Sequence, residues 1–108
     1  ADGRLLAHDD NVARIFVIDP RTGVGVAANN MVYLVVIDGR QPDYSNGMSF
    51  SQMSDLFLSL GAKDAINQDG GGSSTLVVKE GAAWTVKNKP SDGVARPVAN
   101  AWTVVSTQ

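Results

Sequence analysis

The densest set of groups able to bind an anionic ligand lies in residues 67–75, NQDGGGSST. Asp69 precedes three glycines, and three hydroxyl side chains follow them. Glycine has no Cβ, so this backbone can adopt positive φ and approach a ligand closely. Successive amides in such a turn can also bind an anion. Short apolar runs on both sides favour a fixed loop over a mobile linker, although a glycine-rich turn without chemistry is an alternative.

A second polar pair follows the most apolar run of the chain. Residues 32–37, VYLVVI, form a continuous apolar run, which predicts a central strand covered on both faces. Asp38 and Arg40 come directly after it, either in an exposed Asp-Gly turn or fixed at the sheet edge where α/β-type sites lie. Arginine forks onto phosphate oxygens, and carboxylates act as acid, base or nucleophile in glycosidic cleavage. Together with Asp69 and the glycines, this set suits a sugar phosphate.

Composition narrows the class of protein. The chain has 108 residues, 44% apolar and 19% charged, which is typical of one globular domain. A net charge of −2 without a basic block argues against nucleic acid or an anionic membrane as partner. The absence of cysteine excludes disulfides and thiol catalysis, and no apolar run has the length of a membrane span. The compartment stays open, and a secreted or cell-envelope bacterial protein is favoured.

Several enzyme signatures are absent. The glycine loop lacks the lysine of a Walker loop, and no Gly-x-Ser-x-Gly elbow occurs. His8 is the single histidine and lies in a polar N-terminal tail, where a surface position is typical, so a Ser-His-Asp triad and a multi-histidine metal site are both disfavoured. No cofactor is predicted. A divalent metal held by Asp38 and Asp69 is an alternative that rests on two carboxylates alone.

A helix over residues 50–60 is the clearest predicted element. Ser49 and Gln52 form a capping box before it, and Gly61 suits the left-handed position after it. Predicted strands cover residues 15–18, 23–28, 32–37, 63–66, 75–78, 82–86 and 98–105, of which 75–78 and 82–86 form a hairpin. One helix among six or seven strands predicts an α+β fold, a single β-rich domain with one main helix packed on a mixed or antiparallel sheet.

An ordered series of short motifs over residues 15–105 resembles the phosphodiester glycosidase family. The series is Pro20-Arg21-Thr22 with Gly25, Asp38-Gly39-Arg40, Ser45-x-Gly47, residues 60–74, Pro90-Ser91-Asp92-Gly93 and Arg96-x-Val98-x-Asn100-Ala101. The resemblance implies hydrolysis between a sugar C1 and a phosphodiester. Residues 1–108 are then expected to form one such domain without the N-terminal region usual in the family, so that a partner chain or self-association would complete it.

The resemblance also implies site residues. Asp38, Asp69 and Arg40 are expected to be catalytic, with the acid and nucleophile roles of the two carboxylates left open. The implied substrate-binding residues are Arg21, Asn67, Gly70, Gly71, Gly72, Ser73, Ser74, Asn88 and Arg96. Among these groups, Arg40 and Arg96 would bind phosphate.

Two positions depart from the family pattern. Asp19 stands where the family often has histidine, and Gln68 replaces a usual leucine. The first departure could remove a proton-transfer group. The alternative function is a non-catalytic carbohydrate-binding or self-assembling structural module of the same fold.

Overall fold

The computed structural model describes residues 16–107, which contain one α-helix and five strands. In chain order they are β1 Arg21–Ala27, β2 Val32–Ile37, α1 Phe50–Ser59, β3 Ala62–Asn67, β4 Val77–Glu80 and β5 Ala83–Val86. All strand pairs are antiparallel, so the predicted α+β, β-rich domain with one main helix is confirmed. α1 has ten residues, and no helix of the described part is long and apolar enough to cross a membrane.

The main sheet has three strands in the order β2-β1-β3. Arg21 at the start of β1 pairs with Ile37 at the end of β2, and Gly23 pairs with Asn67 at the end of β3. The loops that leave β2 and β3 therefore begin at the same edge of the sheet. This register brings residues 38–47 and the glycine loop, residues 67–75, to the start of β1.

One face of this sheet is covered by α1. Met53, Phe57 and Ala62 form the buried core cluster. The helix approaches β1 closely because β1 has no side chain at Gly23 and Gly25; a methyl group at Gly25 would lie 2.5 Å from a Phe57 ring carbon. The capping box at Ser49 and the positive φ of Gly61, +85°, are present as the sequence predicts.

The opposite face of the sheet is apolar and open. Val24, Val26, Val32 and Leu34 are cross-strand partners there, and Ile66 lies opposite Val24. Val24 is half-buried, and the exposed fractions of the other four range from 39% at Leu34 to 62% at Ile66. The prediction that β2 is a central strand buried on both faces is therefore wrong. β2 is an edge strand, and no described element packs on its outer face.

Two predicted strands also differ from the structure. Residues 16–18 form no strand, although Asp19 makes an isolated bridge with Met48; Ile15 and His8 lie outside the described residues. Residues 98–105 have the apolar composition of a strand but pair with no described strand, and each of them is exposed. Composition alone predicts extended backbone there, whereas a strand also requires a partner edge. The β4–β5 hairpin is confirmed, as a separate two-stranded sheet.

Candidate active site

The two polar loops meet at Pro20, whose side chain is fully buried. A methyl group at Gly39 would lie 2.6 Å from the Pro20 nitrogen, and one at Gly70 would lie 2.7 Å from the Pro20 carbonyl oxygen. The Gly71 amide donates to that same oxygen at 3.1 Å. Glycine is needed at these contacts because the backbones touch. The contacts fix the loop after β2 and the glycine loop against the start of β1.

Arg40 lies against the glycine loop. Its Nε donates to Asp19 Oδ1 at 3.0 Å, and its side chain is 51% exposed. Both terminal nitrogens, Nη1 and Nη2, lie 3.3 Å from the point that a Cβ on Gly71 would occupy. No described residue other than Asp19 bonds to this guanidinium group. Its terminal edge is therefore open to an anion, in the planar geometry that suits phosphate.

The guanidinium group of Arg96 lies against Gly72, the next glycine along the chain. Its Nε and Nη2 contact Asp92 Oδ2 at 2.9 and 2.7 Å. A methyl group on buried Gly72 would collide with both the Arg96 guanidinium group and the Asp92 carboxylate. Two guanidinium groups thus lie over consecutive glycines, but one edge of Arg96 is already used by its carboxylate.

Three amides of the glycine loop are bonded within the protein. Gly71 donates to Pro20, while Ser73 and Ser74 donate to the carbonyls of Gly70 and Gly71 at 3.1 and 3.2 Å. These bonds form the short 3-10 turn Gly71–Ser73. Cationic character at the loop therefore comes from the arginine side chains rather than from a nest of amides.

The polar side chains of the loop differ in exposure. Ser74 is 2% exposed, and its Oγ accepts a hydrogen bond from Thr22 Oγ1 at 3.0 Å. Ser73 is partly buried, and Asn67 is exposed at the end of β3. Asp69 is exposed and makes no hydrogen bond or ion pair with another described residue. Asp69 is consequently the carboxylate of this loop whose oxygens are uncommitted in the described structure.

Asp38, in contrast, is held by three donors. Oδ1 accepts from Asn88 Nδ2 at 2.9 Å, and Oδ2 accepts from the Tyr44 hydroxyl and from the Lys89 amide, each at 2.9 Å. The hydrogen bond to Asp38 raises the pKa of Tyr44, and the negative charge of the carboxylate acts in the same direction. The Lys89 ammonium lies 4.8 Å from the centre of the Tyr44 ring. Asp38 is therefore fixed in one orientation.

Asn88 uses its whole amide within the protein. Besides Asp38, its Nδ2 donates to the Ser74 carbonyl at 2.8 Å, and its Oδ1 accepts from the Leu76 amide at 2.8 Å. The side chain joins the loop after β2, the glycine loop and the chain that follows β5. We therefore place Asn88 among the residues that hold the site together, not among those that contact a sugar.

Arg21 is also used internally. It is 8% exposed, its Nε and Nη2 donate to the carbonyls of Met48 and Val17 at 2.8 and 2.7 Å, and its guanidinium carbon lies 4.0 Å above the Phe50 ring. Burial lowers the pKa of Arg21; the charge of Asp19 opposes this shift and that of Arg40 adds to it. With Nε and Nη2 bound to carbonyls and the side chain buried, Arg21 supports the loops around the candidate site.

Three residues that shape this region were not among the predicted site residues: Asp19, Tyr44 and Asp92. Asp92 carried a signal, since it lies four residues before Arg96 in the same loop. Asp19 and Arg40 are 21 residues apart, so nothing local in the sequence pairs them. Across residues 16–107, no group of three or more histidine or acidic side chains comes together in a way that could hold a metal ion.

Comparison with known proteins gives the ancestry of the chain. Residues 1–105 match the family model described as phosphodiester glycosidase. The SPbeta prophage-derived uncharacterized protein YomE of Bacillus subtilis is 36% identical over 85 residues, which are 79% of this chain and 12% of that protein. A crystal structure of a putative exported protein from Burkholderia pseudomallei shares 48% identity with a TM-score of 0.53, over 54% of this chain and 11% of that one.

The chain thus spans about one eighth of the curated relative and about one ninth of the structural neighbour. The family match, in contrast, extends from residue 1 to residue 105, well over half of the chain. It includes both polar loops and both arginine–carboxylate pairs. The chain therefore belongs to the phosphodiester glycosidase family.

Proposed function

We propose that this domain hydrolyses a sugar 1-phosphodiester at the glycine loop. The observation that carries the proposal is the placement of the guanidinium groups of Arg40 and Arg96 over consecutive glycines, Gly71 and Gly72. A phosphoryl group beside this part of the loop would meet the cationic side chains that cover Gly71 and Gly72. Charge-assisted hydrogen bonds of this kind are about twice as strong as neutral ones.

The two arginines have different roles in the proposal. Arg40 offers both terminal nitrogens, because Asp19 uses only its Nε. Arg96 offers less, because Asp92 contacts two of its nitrogens. Arg40 is therefore the main phosphate ligand, and Arg96 supplies a second positive charge beside it.

Asp69 is proposed as the reacting carboxylate. It precedes the glycines directly, it is exposed, and no described side chain occupies its oxygens. Cleavage at C1 needs either attack by a carboxylate or proton transfer by one, with a second carboxylate in support. Asp38, held by three donors at 2.9 Å, is proposed as that fixed second carboxylate. Asn67 and Ser73 are proposed to contact sugar hydroxyls.

An assay of hexose release from a hexose 1-(methyl phosphate) tests the proposal. We expect turnover by the wild-type chain and a loss of at least about 100-fold in Asp69→Asn, which keeps the size of the side chain but removes its base. Asp55→Asn, a matched change on the exposed side of α1, is the control and should retain activity. Full activity in Asp69→Asn would contradict the assignment. Loss of activity after exhaustive chelation would instead favour a metal-dependent site.

A second candidate function is a non-catalytic module that binds sugar phosphates and associates with another chain. The open apolar face of the sheet favours it, as do Trp84 and Trp102, which are 67% and 65% exposed. Large exposed apolar areas mark interaction surfaces. Light scattering that reports self-association, together with binding but no turnover of the diester, would support this candidate; an active monomer would rule it out. The description of the Burkholderia neighbour as a putative exported protein is consistent with a location outside the cytoplasm for either function.

A further inference from the structure

An open depression of about 550 Å³ lies beside Arg40 and is separate from the glycine loop. Its lining consists of Ile18, Arg40, Asn46, Gly47 and Gln52. The volume falls within the range of small-ligand sites, about 300–1,000 Å³. One cation, two carboxamides and one branched apolar side chain therefore surround a space large enough for a small organic molecule.

The carboxamide of Gln52 is fixed by the start of α1. Its Oε1 accepts the Ser49 amide at 2.9 Å, while the Gln52 amide donates to Ser49 Oγ at 3.1 Å. Because the oxygen is used by the cap, the orientation of the amide group is set. The Nε2 group then has no partner among the described residues and remains a pre-oriented donor at the wall of the depression.

The position of Asn46 is fixed by a hydrogen bond of its backbone carbonyl and by the closure of its loop. Its carbonyl accepts the Arg40 amide at 3.2 Å, in a loop that is also closed by the bridge between Gln41 and Ser45. The Asn46 side chain makes no hydrogen bond within the described structure and is exposed. Its carboxamide can both donate and accept. Ile18, 43% exposed, adds apolar surface to the same wall.

Arg40 connects the depression to the glycine loop. It lines the depression, and its terminal nitrogens lie over Gly71. A ligand whose anionic group is bound by Arg40 can therefore extend into the depression that Asn46 and Gln52 line. Unused donors and acceptors beside an apolar surface match the chemistry of a sugar ring, which has hydroxyl groups at its rim and C–H groups on its faces.

We propose that this depression is the subsite for the hexose ring of the phosphodiester, with Asn46 and Gln52 as the residues that recognise its hydroxyls. The inference rests on the proposed function, because it takes Arg40 as the phosphate ligand. It assigns specificity to Asn46 in the loop after β2 and to Gln52 in the first turn of α1, neither of which is among the predicted site residues.

The test compares two probes of equal charge, dimethyl phosphate and glucose 1-(methyl phosphate), by calorimetric titration of the whole chain. Every chain titrated carries Asp69→Asn, so that the glucose diester is not hydrolysed, and wild type here refers to positions 46 and 52. Their ratio of dissociation constants isolates the contribution of the ring from that of the phosphoryl group. We expect the wild-type chain to bind the glucose diester at least 10-fold more tightly than dimethyl phosphate. Asn46→Ala should reduce this advantage about 3- to 10-fold, as for the loss of one net hydrogen bond.

Gln52→Glu is a second variant, chosen because it should not destabilise the fold. Glutamate keeps the oxygen that accepts the Ser49 amide and is favourable in the first turn of a helix, so the thermal midpoint should be retained or raised. The donor Nε2 is lost, and the ring advantage should fall about 3- to 10-fold. Repulsion between its added charge and the phosphoryl group is common to both probes and cancels in the ratio. Asn30→Gly, in the turn at the opposite end of β1 and with φ +66° in the wild type, is the control and should keep the ratio.

Each remaining outcome of the titrations would contradict a particular step of the proposal. An unchanged ratio in both Asn46→Ala and Gln52→Glu would remove the depression from the site. A wild-type chain that binds both diesters equally would show that the ring has no subsite here, while the phosphate site of the proposed function would stand. Binding of neither diester would overturn the proposed function and this inference together.

Discussion

Asn88 offers the sharpest test of how the candidate site is held together. Replacement by alanine removes three hydrogen bonds, to Asp38 Oδ1, to the Ser74 carbonyl and to the Leu76 amide, at 2.8–2.9 Å. At about 1 kcal/mol net for each bond, we expect Asn88→Ala to lower the free energy of unfolding by about 3 kcal/mol. Urea unfolding followed by far-ultraviolet circular dichroism measures this value.

The isosteric change Asn88→Asp separates hydrogen bonding from packing. It keeps the acceptor for Leu76 but places a carboxylate oxygen against Asp38 and the Ser74 carbonyl, so it should destabilise at least as much as alanine. Adding Asp38→Asn restores a donor opposite that oxygen. The double variant should then be more stable than the sum of the single changes predicts, by about 1–3 kcal/mol. Additivity within about 0.5 kcal/mol would refute the contact between these two side chains.

Three further predictions concern other contacts of the domain. Gly25→Ala places a methyl group 2.5 Å from the Phe57 ring and should cost about 1–3 kcal/mol of unfolding free energy, a loss that a smaller residue at Phe57 partly reverses in thermal melts. Tyr44 should titrate above its usual pKa, by absorbance at 295 nm in a Tyr33→Phe background, and Asp38→Asn should move the midpoint down. Because the pKa of Tyr44 is raised on folding, its bond to Asp38 stabilises fully below about pH 10 and is lost as the pH rises through the raised value; an unshifted midpoint would contradict it. Arg40→Ala should weaken dimethyl phosphate binding about 10-fold and more than Arg96→Ala, since the terminal nitrogens of Arg40 are unused; equal losses would contradict the difference.

The elements with local signals were predictable from the sequence. Ser49 and Gln52 cap α1 through contacts three residues apart, and Gly61 ends it with a positive φ, so both ends of the helix can be read without knowing the fold. The β4–β5 hairpin has a similarly local signal in Glu80-Gly81 between two apolar runs.

The burial of β2 was not predictable in the same way. An apolar run shows that a strand prefers to be covered, but not which element covers it, and the described residues supply a helix on one face only. Residues 98–105 show the same limit, because strand composition does not provide a partner edge.

The contacts of the candidate site were the part of the structure least predictable from the sequence. Asp38 contacts Asn88 across 50 residues, and Arg40 contacts Asp19 across 21, so both pairs depend on the register of β1 with its two neighbours. The glycine loop was predicted to bind an anion through its amides. The amides of Gly71, Ser73 and Ser74 are bonded within the protein, and the terminal nitrogens of Arg40 have no partner among the described residues.

The placement of the phosphoryl group is tested most directly by nitrogen-15 chemical-shift mapping of the Asp69→Asn chain, which is not expected to hydrolyse the probe, during titration with glucose 1-(methyl phosphate). The account predicts the largest shifts at the Gly71 and Gly72 amides and at the Nε group of Arg40, with no change at the distant turn that contains Asn30. Shifts confined to other surfaces, with Gly71 and Gly72 unaffected at saturation, would contradict it.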